Sequence, residues 1–160
     1  MFQTLASTLL LLLTAAAPTS VRKGPPWISI ELPANPWDQT TKGAFLLVHA
    51  FHHGLPLQQP ISGTAEGVVD GKRRSIALTT EKTSRPGVFA LRNQWGTAGR
   101  WVLVLTVDQG EHPGMDVAQA IVEISEQGTV TAVRVPLKDD QYGFPRKATS
   151  AEIEAALKGG

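Results

Sequence analysis

Residues 101–107, WVLVLTV, alternate with a period of two. Trp101, Leu103, Leu105 and Val107 fall on one side of an extended chain. Val102 and Val104 fall on the other, with Thr106 nearer the rim. A helix would spread these side chains around its circumference, whereas a strand divides them between two faces. The residue types are those that fill pleated, buried surfaces. A second apolar segment, 88–91 (VFAL), follows the Pro86-Gly87 turn and is joined to the first by a polar, glycine-containing connector. The pair predicts two core strands packed inside a β-sandwich, and the remaining segments have to be built around it.

Those segments read as strands and turns. Residues 27–32 (WISIEL) place Ile28, Ile30 and Leu32 on one face and Trp27, Ser29 and Glu31 on the other. Pro33, Asn35, Pro36 and Asp38 then break the run. Residues 44–53 (AFLLVHAFHH) carry no acidic or basic residue other than histidine and end at Gly54, which fits a buried central strand better than a helix. On that strand Phe45, Leu47, His49, Phe51 and His53 share one face, opposite Ala44, Leu46, Val48, Ala50 and His52. Segments 62–69 and 73–80 flank Asp70-Gly71, a strong hairpin signal because both turn residues tolerate positive φ. Gly63 and Gly67 in the first of these mark bulges or close packing. Segments 117–124 and 129–135 form a terminal hairpin closed by Pro136. Thr149 and Glu152 have the spacing of a capping box and open a helix at about 150–158. Ile153, Ala156 and Leu157 give that helix an apolar stripe. So short a helix must dock or fray.

About eight short strands with turn signals between them predict an all-β, immunoglobulin-like antiparallel sandwich with a short C-terminal helix. The sandwich domain spans 25–136 and the tail 137–160. Fifteen glycines and 11 prolines suit so many turns, and 42% apolar residues suffice for a core. Fifteen Lys and Arg balance 14 Asp and Glu, which argues against a nucleic-acid binder and against electrostatic docking on a membrane. The absence of cysteine removes disulfides, thiolate nucleophiles and cysteine metal sites. Residues 1–20 read as a signal peptide, with an uncleaved anchor as the alternative. An apolar run covers 5–17, and small residues after it offer cleavage at Ala17 or Thr19. The chain is therefore expected in the periplasm or outside a bacterial cell, with no membrane span once the leader is removed.

Two patterns permit a comparison. Residues 45–51 (FLLVHAF) lead into His53-Gly54-Leu55-Pro56, and Pro86-Gly87-Val88-Phe89 is followed by Gly99-Arg100-Trp101-Val102-Leu103. Over roughly 44–107 the chain resembles exported bacterial immunoglobulin-like domains of the YtkA/FixH-like type. The resemblance implies an extracytoplasmic binding or accessory module, in some members linked to copper handling. The methionine-rich segments that go with copper are not here; the methionines are Met1 and Met115.

Candidate chemistry is sparse. His49 and His53 would share an ion on a helix, but on a strand they lie roughly 13 Å apart, and His52 points to the opposite face. The expectation is therefore no metal and no cofactor. An imidazole site built from His52, His53 and His112 is the alternative. The run 67–73 lacks the spacing of a phosphate loop, and no serine sits in a G-x-S-x-G elbow. No residue is nominated as catalytic. Trp27, Trp95 and Trp101 read as packing residues. Packing is the usual role of such residues, and Trp37, between Pro36 and Asp38, is the tryptophan to suspect first of surface contact. These residues describe a non-enzymatic binding or accessory module with an unidentified protein partner, active at its strand ends near the Trp37 loop or His52 and His53.

Overall fold

The computed structural model describes residues 24–32, 34–35, 37–59, 61–109, 117–140 and 142–159. Residues 1–20, read above as a signal peptide, His112 and Met115 lie outside them. Ten strands and one α-helix are present among the described residues. The strands are β1 (Trp27–Glu31), β2 (Leu46–His52), β3 (Leu55–Pro56), β4 (Ser62–Val69), β5 (Lys72–Thr79), β6 (Glu81–Lys82), β7 (Val88–Leu91), β8 (Arg100–Asp108), β9 (Val117–Ile124) and β10 (Val130–Arg134). The helix α1 covers Ser150–Lys158.

The first sheet runs β1-β2-β7-β6, with β3 paired to the far end of β2. The second runs β10-β9-β8-β4-β5. All pairings are antiparallel. The connectivity is that of an immunoglobulin-like sandwich. One sheet has the A-B-E-D order, the other the G-F-C-C′ order, and β10 is added outside the G position. The short strands β3 and β6 fall in stretches read from the sequence as turn and polar connector.

The inner faces hold the core. Trp101, Leu103, Leu105 and Val107 meet Leu46, Val48, Phe89 and Leu91 from the opposite sheet. Trp101 is 3% exposed, and its Nε1 donates to the Ala98 carbonyl at 2.8 Å. Gly67 pairs with Trp101 across β4 and β8, and a Cβ at Gly67 would sit 2.4 Å from the indole. At Gly63 a Cβ would lie 2.5 Å from the Val104 carbonyl oxygen. Both glycines therefore serve close packing, and the β4 register runs through them without a bulge. Asp70 and Gly71 take φ of 50° and 71°, as the two-residue hairpin requires.

The second sheet is buried on its outer face as well. Val102, Val104 and Ile121 lie under Ala156 and Leu157 of α1, with Ala148 and Ile153 beside them. The helix is anchored at its start. Thr149 Oγ1 accepts from the Glu152 backbone N–H at 3.2 Å, and Glu152 Oε2 accepts from the Thr149 N–H at 2.7 Å. Arg146 grips the same carboxylate with both terminal nitrogens, at 2.8 and 2.9 Å. Gln119 Oε1 accepts from the Ala148 N–H at 2.8 Å, tying the approach to α1 to strand β9. Docking supplies what a nine-residue helix lacks in isolation; burying one leucine such as Leu157 contributes about 1.5–3 kcal/mol.

Two outcomes follow. Gly67→Ala must displace the Trp101 ring and is expected to cost about 1–3 kcal/mol in urea unfolding; an unchanged midpoint would show that the ring is not held. The Arg146 guanidinium and the Thr149 N–H hold the Glu152 carboxyl at about 2, below its ordinary 4.5, against the opposite pull of burial. The folded-state value is the lower one, so ionised Glu152 stabilises the fold above about 4.5, and that contribution fades as pH falls towards about 2. Glu152→Gln is expected to lower the thermal midpoint at pH 7 and to flatten its decline across that acid window.

Candidate binding cleft

The chain leaves β1 at Glu31 and returns to the first sheet at Leu46. Between them Asp38 caps a 3₁₀ turn at Gln39–Thr41. Asp38 Oδ1 accepts from the Thr40 backbone N–H at 2.9 Å and from the Thr40 hydroxyl at 2.6 Å. Its Oδ2 accepts from the Ser84 hydroxyl at 3.1 Å, and the Ser84 N–H donates to Thr40 Oγ1 at 2.9 Å. The Thr40 hydroxyl is the main cause that holds the Asp38 carboxyl below its ordinary value. The buried Thr41 hydroxyl lies within hydrogen-bond distance of the Asn35 and Asp38 carbonyls. Asn35 Oδ1 accepts from the Trp37 N–H at 3.0 Å. This network fixes the backbone on either side of Trp37, whose side chain is 86% exposed. A tryptophan held in water on a pinned loop has already lost part of the entropy that binding would cost.

The same loop walls a cleft of about 730 Å³ at one end of the sandwich. Leu32, Ala34, Ala44 and Phe45 line it from the connection between β1 and β2, and Gly128, Thr129 and Val130 from the turn that leads into β10. Phe45 is backed by Trp95, edge to face at 5.1 Å between ring centroids. Asn35, Gln39, Thr41 and Lys42 supply the polar side chains. Lys42 is the one charged residue among the lining residues, and its ammonium has no protein partner among the described residues. Arg92 donates to the Lys42 carbonyl and pairs through Nε with Glu81 at 3.2 Å, which steadies the floor. The cleft is mostly apolar with a few polar groups, a composition common among ligand-binding clefts.

The histidines are placed differently from their sequence pattern. His49 lies on the outer face of the first sheet, and its Nε2 is 2.7 Å from Glu31 Oε2. Arg85 reaches both oxygens of Glu31, at 3.1 and 3.2 Å. Burial pushes the Glu31 carboxyl up, but the bonds from His49 and Arg85 outweigh it and leave it below its ordinary value. His49 is thus a paired strand histidine. His53 does not continue the alternation. Its φ of 51° takes it out of the strand, and its ring comes to 4.0 Å from that of His52. His52 Nε2 lies 3.0 Å from the Gly24 carbonyl, so that nitrogen carries the proton and Nδ1 is left open. Among the described residues no three His, Asp or Glu side chains gather as a metal-binding group.

Sequence reasoning singled out Trp37 but missed Leu32, Asn35, Gln39 and Lys42. Asp38 two residues before Thr40 is a local cap signal that would have marked the turn. Ser84, Val130 and the cleft itself come from distant segments and have no local signature. No family model, curated protein or solved structure matches the chain. Among the described residues no helix is long and apolar enough to cross a membrane.

Removing the Asp38 carboxylate by Asp38→Ala is expected to speed amide exchange at Thr40 and Thr41 several-fold while the thermal midpoint stays nearly unchanged. Exchange at wild-type rates would mean that the cap does not hold the loop.

Proposed function

We propose that this chain is an exported, non-enzymatic immunoglobulin-like module that binds a protein partner at the cleft beside Trp37. The observation that carries the reading is the 86% exposed Trp37 on the pinned loop whose Asn35 and Gln39 line a 730 Å³ cleft, together with Lys42 of the same cleft, whose ammonium has no partner among the described residues. Large aromatic side chains of this kind dominate binding energies at protein surfaces. The likeness of residues 44–107 to exported YtkA/FixH-like domains, and the apolar run at 5–17, support placement outside the cytoplasm.

The test is capture from the exported fraction of the source cells, with wild type compared against Trp37→Ala and Lys42→Glu at equal thermal midpoints. Loss of the aromatic anchor is expected to cost about 2 kcal/mol or more, roughly thirtyfold in Kd. Partners retained equally by all three proteins would sink the reading.

A second reading is a copper- or zinc-binding module. It rests on the His52 and His53 rings at 4.0 Å and on the open Nδ1 of His52. Two imidazoles need further ligands from elsewhere, and His112 is the candidate that the sequence supplies. Calorimetric titration with Cu²⁺ and Zn²⁺ decides it. Binding abolished in a His52→Ala, His53→Ala double variant would support the site; binding unaffected by the substitutions would remove it.

A further inference from the structure

The two sheets do not end together. Strand β1 is the edge of the first sheet and packs across from β9, while the second sheet continues one strand further, to β10. The inner face of β10 therefore projects beyond the first sheet. Val133 reports this directly. It pairs with Val122, a core residue, so it points towards the inter-sheet side, yet it is 41% exposed. Val130, on the same face, lies at the cleft end of the strand.

The edges differ in their protection. Strand β5 carries Lys72, Arg73 and Arg74; β6 is two charged residues; β10 contains a register shift between Val130 and Ala132. Charges, brevity and bulges are the usual means of blocking an edge. Strand β1 has none of them from Trp27 to Ile30, and its register with β2 is regular. Among the described residues nothing pairs with the outer edge of β1, and the exposed Val133 beside it leaves a seat for one more strand.

We infer that β1 accepts a single extended segment of a partner protein, which lies over β10 and ends beside Lys42. This rests on the binding-module reading above and gives its partner a conformation. A strand in that position bonds its backbone to β1 and turns alternate side chains onto Val133 and Val130. At the cleft end it meets the Lys42 ammonium, which has no partner among the described residues, so an acidic residue or a chain-terminal carboxylate fits there. A second folded copy does not fit. Two copies joined through β1 would each bring an overhanging β10 into the layer already filled by the other's β9 and β10. The occupant is a lone segment with alternating apolar and polar residues.

The experiment uses the full chain and a panel of fluorescein-labelled seven-residue peptides. Each alternates valine, isoleucine, leucine or phenylalanine with threonine and ends in glutamate. Fluorescence anisotropy is expected to show saturable binding. N-methylation of one alternate set of peptide amides should weaken the best binder at least tenfold, and methylation of the other set should not. Val133→Glu should abolish binding, whereas Val68→Glu, at an equally exposed valine on the outer face of β4, should leave it intact. Failure of every peptide to bind overturns strand addition, as does equal binding by both methylated forms or an equal effect of the two valine variants. A concentration-dependent dimer in light scattering that Val133→Glu dissolves also overturns it. None of these outcomes touches Trp37-dependent partner capture, which tests the broader reading on its own.

Discussion

The approach of Trp101 to Gly67 sets the spacing on which the sandwich depends. The indole lies across the neighbouring strand because position 67 has no side chain, and its Nε1 is tied to the Ala98 carbonyl. The ring thereby fills the inner face of the second sheet near the β4–β5 hairpin without pushing the first sheet away. The same strand then turns Val102 and Val104 outwards, where water would meet them. A sheet apolar on both faces needs two covers. The first sheet is one, and α1 is the other. The Glu152 cap and the Arg146 clamp are therefore part of the second sheet's burial, although they lie far from Trp101 in sequence.

Covering both faces leaves the edges as the remaining exposed backbone. The protein treats them unequally. Cations line β5, β6 is short, and β10 is bulged. The β1 edge is shielded against other folded sheets by the overhang of β10 rather than by charge. The overhang also leaves Leu32 and Phe45 facing the start of β10 across open space, which is how the cleft arises.

Local signals carried most of the fold. The alternation in 101–107, the Asp70-Gly71 turn and the Thr149–Glu152 box each involve residues within a few positions of one another, and each formed as its chemistry demands. What was not legible depends on partners distant in sequence. Leu55–Pro56 and Glu81–Lys82 are strands only because β2 and β7 offer them hydrogen bonds. His53 leaves its face because the turn at Gly54 begins one residue early. The proline and aspartate beside Trp37 marked it as the tryptophan to suspect of surface contact, and it is exposed. The Ser84 brace that holds its loop joins residues more than forty positions apart, and no pattern within the loop announces it.

The tenth strand links the sandwich to its cleft. An immunoglobulin-like sandwich that ended at β9 would close β1 against its opposite edge with little apolar surface left over. Adding β10 covers the flank of β9, where Arg134 pairs with the nearly buried Glu123 on the outer side, and places Val130 and Val133 on the inner side. The strand that stabilises one sheet thus creates an uncovered strip beside the other. Val133 there shares a face of β10 with Val130, which lines the cleft together with Lys42.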